Sequence, residues 1–246
     1  MHAAGHTAIG QVRSHNEDAF FLITAPIGPL PNLFIVADGM GGHNAGEVAS
    51  AKSVEYCCGF LRGIPPAAGL QPQDILGFLV EATVAANKAV FEDAEANPEY
   101  YGMGTTFSAC SIVGGTLAIA HVGDSRIYAI SPGTITRLTT DHTYVEEMVQ
   151  AGTITADEAK THPRRNIITR VLGCDPLVEP EGALHSLEGI RHLVLCSDGL
   201  TDMLSDEAIM NLASKGTSAD NRAQALINAA NSQGGIDNIS AIIIDI

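Results

Sequence analysis

Leu33-Phe34-Ile35-Val36-Ala37-Asp38-Gly39-Met40-Gly41-Gly42-His43 is the stretch from which the rest of the chain is read. Its first five residues are apolar and predict a buried strand. The strand runs straight into Asp38, and the glycines that follow allow backbone positions a side chain would forbid. A carboxylate at the mouth of an apolar strand is costly to bury unless something positive meets it.

Upstream, Thr7 to Val12 and Ala19 to Thr24 read as two short strands. The polar turn Arg13-Ser14-His15-Asn16-Glu17-Asp18 separates them. Downstream, Val48, Ala51, Val54, Cys58 and Leu61 recur at helical spacing from Glu47 to about Leu61. A longer helix is expected from Pro72, where a missing N–H is harmless, to about Ala96, with Asn97-Pro98 as its stop. Gly114-Gly115 between Thr105–Val113 and Thr116–Val122 signals a hairpin. A second hairpin follows, with Ser125–Ile130 and Thr134–Leu138 around Ser131-Pro132-Gly133.

Residues 141 to 170 are polar, carry the capping box Thr155-Ala156-Asp157-Glu158, and read as a small helical excursion over the surface. Strands are expected again at His192–Cys196 and Ile239–Ile246, with helices at about Ser205–Ala213 and Ala219–Ser232. Consecutive hairpins imply antiparallel sheet. Two helices before the middle sheet and two after it suggest sheet packed on sheet with helices outside.

At 246 residues a sizeable core can form, and one domain is the expected count. A hydrophobic content of 46% with 17% charged residues describes an ordinary globular chain. No apolar run approaches the ~20 residues of a membrane span. The stretch Met1 to His6 has neither a basic nor an apolar signal region, so a cytoplasmic location without membrane partners is the default. The five cysteines are odd in number and form no CxxC; free, mostly buried thiols are expected. A formal charge of −15 argues against a nucleic-acid partner. It leaves anionic substrates open, because bound divalent cations invert the local field.

Four aspartates share one context. Asp38, Asp124 and Asp198 follow apolar strands, Asp237 precedes one, and each stands next to a glycine or within two residues of one. Strands of one sheet can deliver such ends to a single rim, where the carboxylates would repel one another unless cations neutralised them. An oxygen-rich site without Cys or His suits Mg2+ or Mn2+ better than zinc. Asp38 is therefore read as bridging two metal ions, and Glu17-Asp18 adds two more acids. Plain Asp-Gly turn chemistry is the alternative for any one of these. Arg13, four positions before Glu17, can hold a phosphoryl group bidentately; the alternative is a structural ion pair with one of the acids.

These residues carry a resemblance. Arg13-Ser14-His15-Asn16-Glu17-Asp18, Val36 to His43, Gly104-Thr105-Thr106, Val122-Gly123-Asp124-Ser125-Arg126, Thr140-Asp141-His142, Ser197-Asp198-Gly199-Leu200 and Gly235-Ile236-Asp237-Asn238 occur in the order found in bacterial-type metal-dependent protein Ser/Thr phosphatases. This is the PPM, or protein phosphatase type 2C, family, and the motifs span nearly the whole chain.

The resemblance implies an α+β fold, a four-layer α-β-β-α sandwich of two packed antiparallel sheets flanked by helices. Residues 1–246 would form a single catalytic domain with a flap at about 143–170. It implies that Asp38 bridges two Mg2+ or Mn2+ ions, with the Gly39 carbonyl and Glu17 on the second. Asp198 and Asp237 would hold the first, and Asp124 with Asp198 a third, weaker one. Asp18 would orient the metal-bridging water, Asn238 would support the site, and Arg13 would grip the substrate phosphate. A hydroxide would then attack phosphorus in line, without a covalent intermediate.

Phosphoproteins made by a Ser/Thr kinase are the implied substrates, and a monomer is the expected state. Met40 stands where many eukaryotic members have a general-acid His, and it cannot donate a proton. His43 is the candidate to act through a water or to recognise substrate; a helix-start or surface histidine is the plainer reading. His142 reads as structural. Competing readings are a phosphoprotein-binding relative without activity, which should lack metal ligands, and another metal-dependent phosphoesterase such as a nuclease, against which the charge weighs.

Overall fold

The apolar run at residues 33–37 is the first part of a longer strand, β3 (Leu33–Met40). Its alternation explains why no polar residue interrupts it. Leu33, Ile35 and Ala37 pack against two helices, α1 (Ala45–Arg62) and α2 (Pro72–Ala96). Phe34 and Val36 pack on the opposite face against Leu193, Leu195, Ile242 and Ile244 of a second sheet. A strand covered on both faces has no solvent side to mark with polar residues.

The computed structural model describes residues 1–41 and 45–246. The remaining strands are β1 (His2–Ala8), β2 (Asp18–Ile23), β4 (Gly104–Thr105), β5 (Phe107–Val113), β6 (Thr116–Val122), β7 (Arg126–Ser131), β8 (Thr134–Arg137), β9 (Glu181–Ser186), β10 (His192–Cys196) and β11 (Ile239–Asp245). One antiparallel sheet has the order β1-β11-β10-β7-β8; the other is β2-β3-β5-β6-β9, with β4 beside β3. Helices α6 (Asp206–Ser214) and α7 (Ala219–Ser232) cover the outer face of the first sheet, with Ile209, Ala223, Leu226 and Ile227 on Val194, Ala241 and Ile243. The expected four-layer α-β-β-α sandwich is what the chain forms.

Sequence and structure differ at two strands. The first strand is His2–Ala8, not Thr7–Val12. It pairs with β11 from His2↔Asp245 to Ala8↔Ile239. Residues 9–12 form a turn tied to another loop by the Gln11 N–H, which donates to the Gly235 carbonyl at 2.6 Å. Val12 is 69% exposed, so its apolar character did not mark core. Strand β9 went unread because it is an edge strand with alternating exposure, paired on one side with β6.

The excursion at 141–170 holds two short helices, α3 (Tyr144–Gln150) and α4 (Ala156–Lys160). The capping box read from Thr155 and Glu158 closes α4: the Glu158 N–H donates to Thr155 Oγ1 (3.2 Å) and the Thr155 N–H to Glu158 Oε2 (2.8 Å). No described helix is long and apolar enough to cross a membrane.

Candidate metal centre

Both sheets deliver acids to the same end of the sandwich. Asp18 opens β2 and stands opposite Asp38 in the β2–β3 register. Asp124 lies in the turn between β6 and β7, where the chain passes from one sheet to the other. Asp198 follows β10 as the first residue of the short helix α5 (Asp198–Thr201), and Asp237 precedes the adjacent strand β11. A hydrogen bond crosses between the sheets: Ser197 Oγ donates to Asp18 Oδ2 at 2.8 Å and accepts from the Ser240 N–H at 2.9 Å.

Asp38 is held through its backbone. Its N–H donates to Thr106 Oγ1 (2.9 Å), and its carbonyl accepts from the Thr106 N–H and Thr105 Oγ1, both at 2.9 Å. Its carboxyl is left to the site. Asp198 and Asp38 shift each other's pKa, and neighbouring buried carboxyls disfavour ionising together.

Electrostatics follow from burial. Desolvation pushes Asp18 up to about 7, with Asp198 and Asp237 adding repulsion against hydrogen bonds from Ser240 and Ser197. Asp124 rises to about 8 and Asp198 to about 6, again first by burial and then by neighbouring acids. Asp38 is raised well above the usual range by burial, then by Asp18, Asp198 and Asp124. Glu17 is raised by burial, with Arg13 opposing.

Glu17 Oε1, Asp18 Oδ1, Asp124 Oδ1 and Asp198 Oδ1 are all buried without a hydrogen-bond partner. Orphaned buried carboxylate oxygens are rare in native proteins. Four at one rim form an all-oxygen donor set of the kind hard divalent cations take, so the residues present fit such ions. Among the described residues no group of three or more His, Cys, Asp or Glu side chains is arranged to hold a metal ion as it stands. Asp18 accepts from Ser197 through Oδ2, and Asp237 accepts from Arg13.

Arg13 Nη2 donates to Asp237 Oδ2 at 2.7 Å, so the ion pair named as its alternative role is present. Both groups stay partly exposed, and the guanidinium stands at the edge of the cluster. Asn238 links three segments: its Oδ1 accepts from the Glu17 N–H (2.8 Å), while its Nδ2 donates to the carbonyls of Ile9 and His15, both at 2.9 Å. His43 lies outside the described residues. Met40 is 40% exposed at the rim and has no proton to give. The sequence reading assigned no role to Ser197, Ser240 or Thr106, and buried hydroxyls flanking acids were the available signal. It also passed over His15, whose imidazole is near enough to lower the Glu17 pKa.

Gly39 is needed for close approach. Its N–H donates to the Glu17 carbonyl at 3.0 Å, and a Cβ there would lie 2.0 Å from the Gly46 carbonyl oxygen of α1. Gly39→Ala is expected to cost about 3 kcal/mol, the upper end for overpacking. Chemical denaturation of the metal-free protein checks this; a loss under about 1 kcal/mol would mean the α1 contact has slack.

Comparison with known proteins gives a consistent result. The family model described as protein phosphatase 2C matches residues 6–232. The serine/threonine phosphatase Stp of Listeria welshimeri is 36% identical over 249 residues, covering 100% of this chain and 96% of that protein. The crystal structure of Staphylococcus aureus serine/threonine phosphatase Stp1 superposes with a TM-score of 0.90 at 34% identity, covering 99% of this chain and 94% of that one. A structure of the PstP catalytic domain in complex with two manganese ions does so with a TM-score of 0.82, also at 34% identity, over 99% and 96% of the two chains.

Proposed function

We propose that this chain, which belongs to the protein phosphatase 2C family and is a protein serine/threonine phosphatase, passes the phosphoryl group of phosphoserine or phosphothreonine directly to water with the help of divalent cations. The observation that carries this reading is the group of four buried, partnerless carboxylate oxygens on Glu17, Asp18, Asp124 and Asp198. Mg2+ or Mn2+ is the proposed cofactor, as the oxygen donors and the two manganese ions of the PstP structure suggest.

Asp38 would hold two ions, joined by Glu17 and the Gly39 carbonyl on one side and by Asp198 and Asp237 on the other. Asp124 and Asp198 would take a third, weaker one. When bound, such ions lower the pKa of water between them and neutralise charge on the phosphoryl oxygens.

The chain's own groups do the rest. Asp18, backed by Ser197, would orient the attacking water and accept its proton. Asn238 would keep the Glu17 backbone in register with Asp237. Arg13 would exchange its contact with Asp237 for the substrate phosphate. Among the described residues, Ser197 is fully buried and the thiols of Cys57, Cys58, Cys110 and Cys196 are buried with raised pKa values, so none of these five would serve as a covalent nucleophile.

The test is turnover of a phosphothreonine peptide with Mn2+, then with EDTA. Activity should vanish with chelation and return with added metal; metal-independent turnover would sink the reading. Arg13→Ala is expected to raise KM about tenfold, the loss of roughly one charge-assisted hydrogen bond. An unchanged KM would leave Arg13 as Asp237's structural partner.

A further inference from the structure

Behind the rim runs a strap, Thr139 to Thr143, with Thr139, Asp141, His142 and Thr143 buried. The proposed chemistry leaves it unused. His142 forms a closed pair with Gly123, the residue before Asp124. The His142 N–H donates to the Gly123 carbonyl at 2.7 Å, and the Gly123 N–H donates to His142 Nδ1 at 3.1 Å. One residue thus satisfies both backbone polar groups of Gly123, as burial demands. The backbone at Gly123 takes φ +107°, and a Cβ would sit 2.6 Å from Thr106 Cβ, so this turn needs its external support.

The hydrogen-bond chemistry assigns the tautomer. A backbone N–H can only donate, so Nδ1 of His142 is an unprotonated acceptor. The neutral ring then carries its proton on Nε2, which is buried 3.4 Å from Glu181 Oε2 without forming a hydrogen bond to it. The rest of the strap is anchored independently. His121 Nε2 donates to the Thr140 carbonyl at 3.0 Å, and Asp141 accepts from Arg126 Nε at 3.0 Å and Nη2 at 2.6 Å. On the far side the Thr169 N–H donates to the His142 carbonyl at 2.8 Å. Asp124 Oδ1 is itself buried without a partner, so the backbone beneath it is what aims the carboxylate.

We infer that His142, with Nδ1 turned to the Gly123 N–H, is a positioning residue that aims Asp124 through Gly123 and thereby sets the affinity of the third cation. The inference rests on the proposal that Asp124 holds a cation. Partners that orient a ligand without touching the ion are typically worth 10–100-fold in metal affinity.

The test uses the full chain and counts bound Mn2+ from the free-ion EPR signal. Asp124→Ala is expected to remove the weakest class of bound ion. In His142→Gln the amide reaches toward Glu181 and leaves the Gly123 N–H without an acceptor; the same class should weaken about tenfold. His142→Asn places an oxygen near the position of Nδ1, and it should recover to within about threefold of the native protein. The tighter ions should be unchanged in both His142 variants. Gly123 amide exchange in the metal-free protein should accelerate in the Gln variant and not in the Asn variant.

If Asp124→Ala loses the weak ion while the two His142 variants bind it alike, the positioning role is overturned and the cation proposal stands. If Asp124→Ala keeps native stoichiometry, the cation proposal falls and this inference falls with it. Should the Gln variant fail to fold, nitrogen NMR of native His142 decides: protonation on Nδ1 between pH 6 and 8 overturns the inference.

Discussion

An Asp38→Asn variant is expected to lose at least about a thousandfold in kcat/KM toward a phosphothreonine peptide, while the metal-free protein stays folded. Metal ions supply several kcal/mol of charge stabilisation, and each ~1.4 kcal/mol is a factor of ten in rate. The proposed role of Asp38 places it on two ions at once, so neutralising it should weaken both. The same change should not hurt the fold. Asp38 is partly buried, and its pKa is raised first by desolvation and then by three neighbouring acids, so its charge opposes folding when no cation is bound. Asparagine keeps the shape and can donate a hydrogen bond to Asp198.

Two measurements separate these effects. Native protein with Mn2+ at about a thousand times its dissociation constant should gain roughly 4 kcal/mol, or about 8–16 °C in Tm for a chain of this size. The variant should show no such shift and should melt, metal-free, no lower than the native protein. Retained activity within tenfold, or an undiminished metal-induced shift, would overturn the bridging role.

Metal-free protein is expected to lose stability as pH rises, the reverse of ordinary acid denaturation. Burial and neighbouring acids raise Asp198, Asp18 and Asp124 to about 6, 7 and 8, and Asp38 is raised well above its ordinary value by the same causes. In the unfolded chain each would titrate near 3.9. Between these values the folded state holds protons that the unfolded chain has released, so stability falls as pH climbs through the folded pKa values. From pH 5.5 to 8.5 the loss should be on the order of 3 kcal/mol, because protonating one carboxyl relieves the others. That corresponds to roughly 6–12 °C in Tm.

Saturating Mn2+ should flatten or invert the slope, since a cation replaces the protons. Melting curves with and without EDTA across this range measure both effects. A metal-free Tm that is constant or rises toward pH 8.5 would mean the cluster is not the coupled, desolvated set its burial indicates.

Much of the fold is legible because burial leaves a pattern in the residues. The uninterrupted run Leu33–Ala37 could be read as a buried strand, and Gly114-Gly115 as a hairpin, from local rules alone. Pro72 and Asn97-Pro98 bound α2 where expected, because each acts on its own stretch of backbone. The strand at the N-terminus was misplaced for the opposite reason. Ile9 and Val12 carry strand-like side chains, but pairing with β11 selects His2–Ala8. Strand β9, with one paired edge and alternating exposure, likewise depends on β6 for its definition.

The site divides along the same line. Residue chemistry by itself determined that this chain has acids at the ends of apolar strands, that oxygen donors suit hard cations, and that a guanidinium stands four residues from Glu17. Those properties belong to side chains and to short-range order. Tertiary structure alone decided that Ser197 of one sheet supports Asp18 of the other, that Arg13 rests on Asp237, and that His142 closes on Gly123. These contacts join residues 179, 224 and 19 positions apart, and no local pattern encodes them. They exist because two sheets, each satisfying its own hydrogen bonds, pack face to face and bring their loops to one rim. Asp38 was readable as a costly carboxylate; what meets its cost depends on that packing.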